Sequence, residues 1–504
     1  MMNQKSRPNF LVFIVDQMNS FSLGYHGNPD VRTPNIDKLC TEGASFNRAY
    51  CSNPVCSPSR ATLHTGLTPR QHGLITNGCK LTDQITTLPQ VLADNGFRTH
   101  CVGKIHLQPF SNSDFGEEGR PLSWESRDLW NEGVIKGLPL PYYGYQTVDY
   151  VGGHVNYVNG DYVNDVEAQS PGTRAKLSRA EAYHSVLKSQ AWRMPIDPEL
   201  HYNHWIADRS MDFLDSVPDE DNFFLVTSFP DPHHPFAACR PYSEMYDPNE
   251  ITLPETWNED EDLCGYLKRD VNASHSSWNE TALRESIAQT YGMITHIDDN
   301  VGRLLQHLDQ TGHTDNTIVV FLSDHGEYLG SHHLLLKGKW PYEQVVRVPF
   351  IWKDPKASAR GRSDQIASLL DFVPTVLDYV EIDQTPFKLR AEGKGTTPTL
   401  PGKSLRSWIE GNTGSSSAAL VEYDEDFYEG HVCRYRMLIE SRFKVCLYGG
   451  TGQGVLLDLE RDPCERHNRW ADNSYTNIRN DMLAKLSDRL AWTDRFDTPR
   501  YCGA

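Results

Sequence analysis

Four short β-type runs constrain this chain more than any other feature. Phe10 to Val15 (FLVFIV), Phe223 to Phe229 (FFLVTSF) and Thr317 to Leu322 (TIVVFL) are largely apolar, and Thr99 to Val102 is a shorter companion. A strand that is apolar at successive positions buries both faces, as in a parallel sheet covered by helices. Helical spacing separates the runs, at Asn35–Glu42, Leu88–Asn95, His204–Val217 and Glu285–Leu308. This alternation predicts an α/β fold, a large mixed, mostly parallel sheet sandwiched by helices. Gly43 reads as the stop of the first helix. Val345 to Trp352 reads as a strand interrupted by Pro349, and Ser368 to Tyr379 as a helix with Pro374 near its middle.

From about Ala418 the pattern changes to alternation. Tyr435–Glu440 and Phe443–Tyr448 flank Ser441-Arg442 as a hairpin, and Met482–Thr493 closes the chain as a helix. A smaller C-terminal antiparallel sheet plus helix is expected. The domain expectation is therefore a large domain over residues 1–385 and a small one over 400–504, joined by a Gly/Thr/Pro-rich connector at Glu381–Thr399. Residues 107–198 carry Gly, Tyr, Asn and Asp without an apolar period, and read as an insertion suited to substrate binding.

The polar residues that follow the runs supply the chemistry. Asp16 and Gln17 come directly after the first run, Lys104 and His106 after the second, His233 and His234 after the third, and Asp324, His325 and Glu327 after the fourth. Open α/β sheets place their ligands at the carboxyl ends of strands, so Asp16 and Asp324 are expected to converge. Between them in sequence lies Cys51–Gly66, CSNPVCSPSRATLHTG. It reads as a loop entering a helix, with Pro58 in the first turn and Cys56 at the anion-friendly end. A thiol there, with Arg60 near it, has a lowered pKa. Two carboxylates with the Gln17 amide favour calcium or magnesium. His325 nudges the choice toward manganese or zinc. Beside Arg60, Lys104 and Lys337 such a metal makes a trap for a tetrahedral oxyanion.

Composition excludes several classes. The chain has 504 residues and a net charge of −19, a poor match to a nucleic-acid partner. An anionic substrate therefore needs a locally positive pocket. Eleven cysteines without a CxxC pair do not make a disulfide scaffold. No run is long enough to span a membrane, and the start MMNQKSRPNF shows no export signal. A periplasmic or secreted placement, had a signal been removed, and a cytoplasmic one both stay open. Nothing in the sequence fixes the oligomeric state.

The segments FIVDQ (Phe13–Gln17), CSPSR–TG (Cys56–Gly66), GKIH (Gly103–His106), DPHHPF (Asp231–Phe236), SDHGEYLGSHHLLLK (Ser323–Lys337), RVP (Arg347–Pro349) and LLDLERDP (Leu456–Pro463) occur in this order. Together they resemble the type I formylglycine-dependent sulfatases of the alkaline-phosphatase-like superfamily, which include carrageenan-type polysaccharide sulfatases. The resemblance implies that Cys56 is oxidised to formylglycine by a formylglycine-generating or anaerobic maturation enzyme, and that its hydrate is the nucleophile. It implies a Ca²⁺ site at Asp16, Gln17, Asp324 and His325. Gln17 and His325 stand where family members often carry Asp and Asn, so Mg²⁺ or Mn²⁺ stays open. Arg60, Lys104 and Lys337 would stabilise charge, His233 would protonate the leaving group and His106 would act as base for sulfate release. His234, Glu327 and His332 are candidate substrate contacts. The reaction implied is hydrolysis of a carbohydrate sulfate ester. Phosphonate or phosphate ester hydrolysis, choline or aryl sulfate hydrolysis and a non-enzymatic anion-binding scaffold are the alternatives.

Overall fold

The computed structural model describes residues 7–116, 119–186, 190–258, 279–383, 400–412, 418–427 and 431–494. The expected connector at Glu381–Thr399 lies almost wholly outside these residues. The first apolar run forms β1 (Asn9–Val15), followed by β2 (Ala44–Tyr50), β3 (Phe97–Gly103), β4 (Thr147–Gly152), β5 (Asn159–Gly160), β6 (His184–Ser185), β7 (Ala191–Met194), β8 (Asn222–Phe229), β9 (Phe236–Cys239), β10 (Thr317–Ser323), β11 (Arg347–Val348), β12 (Phe350–Lys353) and β13 (Gly361–Ser368). Ten of these make one mixed sheet. β1 lies at its centre between β10 and β8, and β3 and β4 extend it in parallel on the β8 side. β12 adds antiparallel to β10, then come β2 and, beyond it, β13. β6, β7 and β9 form a separate small sheet.

The run Phe10–Val15 is apolar throughout because each face of the sheet has its own core. Phe10, Val12 and Ile14 pack into one cluster, and Leu11, Phe13 and Val15 into the other. The helix Glu280–Gln310, longer than its sequence pattern suggests, covers the second face with Ile287, Ile294, Ile297, Val301 and Leu304.

The register brings the functional strand ends level. Val15 lies opposite Ser323 of β10 and Phe229 of β8, and Ser228 lies opposite Gly103 of β3. The next residues in each strand therefore leave the sheet at one edge.

Two local expectations are corrected, and a third holds for a different reason. Val345 and Val346 end a short helix, Glu343–Val346, and Pro349 splits the following extended chain into β11 and β12. Residues 361–368 form β13, and the helix behind it is Phe372–Tyr379, with Pro374 in its first turn, where a missing N–H costs nothing. Gly43 does end the helix Pro34–Glu42, but with φ −115°, so no left-handed turn requires glycine there. A Cβ would meet the Trp352 carbonyl at 2.8 Å, so close strand packing is the reason.

The C-terminal strands β14 (Ala419–Phe427), β15 (His431–Ile439), β16 (Phe443–Tyr448) and β17 (Gly454–Asp458) form an antiparallel sheet in that order. Its alternation serves two partners. Leu420, Leu438, Val445 and Leu456 face the helix Thr476–Thr493 through Met482 and Leu486. Val421, Tyr423, Tyr435, Met437 and Cys446 join the core of the large sheet. Part of 107–198 is likewise woven into the main architecture, since β4 and β5 complete the large sheet.

Candidate active site

At the level edge of the sheet, Asp16 leaves β1 and Asp324 leaves β10. The Asp324 N–H donates to the Val15 carbonyl at 3.2 Å, and the Asp16 N–H to the Asp231 carbonyl at 3.1 Å. Both carboxylates are fully buried. Gln17 follows with φ +65°, a left-handed conformation uncommon for a residue with a side chain. Its N–H donates to Asp324 Oδ1 at 3.1 Å, which ties the turn to the neighbouring strand.

Cys56 opens the helix Cys56–Thr65, every residue of which is buried. Pro58 suits the first turn, and Gly66 closes the helix at φ +69°. Arg60, one turn on, does not face open space. Its Nε donates to Asp324 Oδ2 at 2.7 Å, Nη2 to Asp16 Oδ2 at 3.2 Å, and Nη1 to the Lys104 carbonyl and Ser228 Oγ at 2.8 and 3.0 Å. It thus clamps both carboxylates from behind. The two carboxylates in turn hold its pKa up against burial.

Lys104 Nζ donates to Asp16 Oδ2 and lies 2.6 Å from His154 Nε2. Lys337 Nζ reaches Cys56 Sγ at 2.7 Å, His233 Nε2 at 2.8 Å and His325 Nε2 at 3.2 Å. Burial and the Asp16 carboxylate oppose ionisation of Cys56. Lys104, Lys337 and His325 outweigh them, and the thiol falls below its ordinary pKa. Burial also works against the Asp16 carboxylate, but Lys104 and Arg60 drive its pKa well down.

In two of the histidines a carbonyl acceptor places a proton on Nδ1. His325 Nδ1 donates to the Gly326 carbonyl at 2.9 Å, which leaves Nε2 facing Cys56 Sγ 3.2 Å away. Burial and the Lys337 charge work against its protonation, but Asp324 and Cys56 carry its pKa above the ordinary histidine value. His233 Nδ1 donates to the His234 carbonyl, so its Nε2 accepts from Lys337. Burial, then His154 and Lys337, hold His233 well below the usual histidine pKa. Burial and the lysine and arginine charges do the same to His106. His106 sits at φ +61°, with its N–H donating to Glu125 Oε2 at 2.7 Å.

A cavity of about 410 Å³ opens onto this cluster, lined among others by Cys56, Lys104, His106, His154, His233, His234 and Lys337. The structure thus brings all six candidate catalytic residues and all four candidate metal ligands to one place. Of the candidate substrate contacts, His234 faces the cavity and also meets Gln17 Nε2 through Nδ1 at 2.9 Å. Glu327 stands behind Gln17, accepting from its amide and from the Leu329 and Leu336 N–H groups. His332 stacks on Tyr342 with ring centroids 3.6 Å apart, outside the cavity lining.

The donor set fits a divalent cation. Asp16, Cys56, Asp324 and His325 each offer a ligand atom within 4.8 Å of the others. Gln17 Oε1 is buried and has no hydrogen-bond partner among the described residues, a strong acceptor held ready for a ligand. Carboxylate and amide oxygens with one imidazole nitrogen suit a hard cation.

Two residues of the site escape sequence reasoning. His154 lies in the cavity wall and stacks face to face on His233, with centroids 3.5 Å apart and planes within 3°. Glu125 receives the N–H groups of His106 and Leu107 and the Tyr142 hydroxyl, and burial lifts its pKa to about 7. The one available signal was the pair Gly152-Gly153 before His154, a glycine-marked turn at a strand end.

The Sulfatase family profile matches residues 8–382, and a profile described as N-sulphoglucosamine sulphohydrolase, C-terminal, matches residues 330–491. An arylsulfatase of Clostridium perfringens is 29% identical over 95% of this chain and 93% of its own length. An N-acetylglucosamine-6-O-sulfatase of Bacteroides thetaiotaomicron is 24% identical over 96% of this chain and 86% of its own. The crystal structure of a phosphonate monoester hydrolase of Agrobacterium radiobacter superposes with a TM-score of 0.80 at 23% identity, covering 97% of this chain and 96% of that one.

Proposed function

The chain belongs to the sulfatase family, and from that premise we propose that it removes sulfate from a carbohydrate sulfate ester, with Cys56 matured to formylglycine. One observation carries the proposal: Cys56 meets Lys337, His325 and Asp16 at the inner end of a cavity that Lys104, His106 and His233 also line. A net-acidic wall would repel a sulfate ester, and a neutral one would leave its charge unpaired. This one offers two ammonium groups at the reacting atom.

Formylglycine at position 56 supplies a hydrated aldehyde as nucleophile, and its formation requires a maturation enzyme as partner. A divalent cation held by Asp16, Gln17, Asp324 and His325, for which the oxygen-rich set favours Ca²⁺, supplies Lewis-acid polarisation on that side. The chain's own residues do the rest. Arg60 holds the two carboxylates together and oriented. Lys104 and Lys337 offset the charge of the sulfuryl oxygens, an electrostatic role usually among the largest. His233 is neutral in the resting site, so its acid role draws on the Lys337 ammonium 2.8 Å from its Nε2. The pair together delivers the proton to the leaving oxygen. An alkoxide needs this more than a phenolate, and such acid catalysis is worth about 10²–10⁴-fold. His106 is also neutral and lines the cavity, as a base for sulfate release must.

The sugar assignment draws support from the N-acetylglucosamine-6-O-sulfatase relative and from the aromatic and amide groups of the cavity wall, Phe110, Tyr150 and Asn77. A panel of sulfated oligosaccharides, an aryl sulfate, choline sulfate and a phosphonate monoester tests it by released sulfate or phosphonate. Turnover is expected to be highest on a sulfated sugar. Turnover confined to the aryl or choline ester ends the carbohydrate reading, and a preference for the phosphonate replaces the reaction class.

A further inference from the structure

We infer that His154 is a positioning residue for sulfate ester cleavage, holding the Lys104 ammonium through Nε2 and the His233 ring by face-to-face stacking. The inference rests on the roles given to Lys104 and His233 above.

The local sequence builds the arrangement. β4 ends at Gly152, and a Cβ on the following Gly153 would meet the Tyr157 carbonyl at 2.3 Å. Gly153 also stands at φ +75°. Only glycine allows this turn, and the turn delivers His154 into the cavity wall. There its Nε2 lies 2.6 Å from Lys104 Nζ and 3.9 Å from Asp16 Oδ2. An ammonium is donor only, so the imidazole nitrogen accepts and the ring's proton sits on Nδ1.

Lys104 has three N–H donors. One goes to Asp16, one to His154, and the third is left for an anion in the cavity. Among the described residues, His154 is the cavity-side acceptor that opposes the pull of Asp16 on this ammonium. The second contact acts on the proton donor. His233 is held at Nδ1 by the His234 carbonyl and at Nε2 by Lys337, and both bonds lie in the ring plane, so the tilt of the ring about the line between them is set by what packs on its faces. The His154 ring, 3.5 Å away and within 3° of parallel, is the closer and flatter of the two rings that restrict this tilt, the other being His234 at 4.1 Å and 26°. His154 therefore acts on both the sulfuryl group and the leaving oxygen without touching either.

Three substitutions separate the two contacts. His154→Phe keeps a flat ring against His233 and removes the acceptor, His154→Gln keeps an acceptor and removes the ring, and His154→Ala removes both. Each is compared with the parent on an aryl sulfate and on a sugar or alkyl sulfate, with inorganic sulfate binding by calorimetry and the melting temperature alongside. His154→Gln is expected to lose about tenfold in kcat on the sugar or alkyl ester and far less on the aryl ester, because only the former needs the acid. His154→Phe is expected to raise KM by about tenfold on both and to weaken sulfate binding by a similar factor. His154→Ala combines the losses. Equal losses for all three variants on both esters, tracking melting temperature, overturn the inference, as does His154→Ala within about twofold of the parent. Should the parent cleave no sulfate ester, the proposed function fails. Sulfate binding then decides this inference: weakening in His154→Phe but not in His154→Gln upholds the Lys104 contact, and no weakening overturns it.

Discussion

At the scale of single residues, the site is built so that its charges are balanced before any cation arrives. Asp16 and Asp324 share Arg60, and Asp16 also takes Lys104. Two buried carboxylates left without cations would cost several kcal/mol each. Here the guanidinium fork meets both, a geometry lysine cannot reproduce. Treatment with a chelator is therefore expected to abolish turnover while lowering the melting temperature by only a few degrees, and Ca²⁺ should restore activity. A collapse of the fold on chelation would show that the metal, not Arg60, holds the carboxylates together. Most of these residues were legible in the sequence because each follows a recognisable strand. Glu125 and His154 were not. Glu125 acts through main-chain N–H groups that carry no side-chain pattern, and His154 lies in a stretch without apolar period. The direction Arg60 faces was also invisible, since a motif gives proximity to Cys56 but not the side on which the guanidinium lies.

At the scale of elements, the sheet register does the positioning. Gly103 is the place where this is most tightly drawn. It stands at φ +102°, and a Cβ there would lie 2.0 Å from the Ser228 carbonyl. The strand end that carries Lys104 can approach β8 only because that position lacks a side chain. Gly103→Ala is expected to destabilise by about 1–3 kcal/mol through overpacking and to reduce kcat by displacing Lys104. Denaturant melts and steady-state kinetics check both effects, and an unchanged kcat would mean that Lys104 is not held by this contact. The buried strands were legible as apolar runs. β13, half polar in sequence, was not, because its pairing with β2 leaves part of it exposed.

At the scale of the whole molecule, the C-terminal sheet is held to the large one by a buried charge cluster as well as by shared core. Lys444 Nζ lies 3.1 Å from Glu343 Oε1 and also meets Glu465, while the Tyr50 hydroxyl donates to Glu343 at 3.0 Å. Lys444→Ala leaves Glu465 buried without its cation and Glu343 dependent on Arg347, 3.8 Å away, and is expected to cost about 3–5 kcal/mol. A loss below about 1 kcal/mol in equilibrium unfolding would place the cluster in solvent instead. This junction matters for function because the loop carrying Lys337 packs against the same sheet: the Tyr448 hydroxyl donates to the Lys339 carbonyl at 3.1 Å. The central claim, that the side chain at position 56 is the nucleophile of a sulfatase, is tested most directly by measuring sulfate release by the parent and Cys56→Ala on the same ester. The account predicts turnover in the parent and none above background in the variant. Comparable sulfate release by both would contradict it.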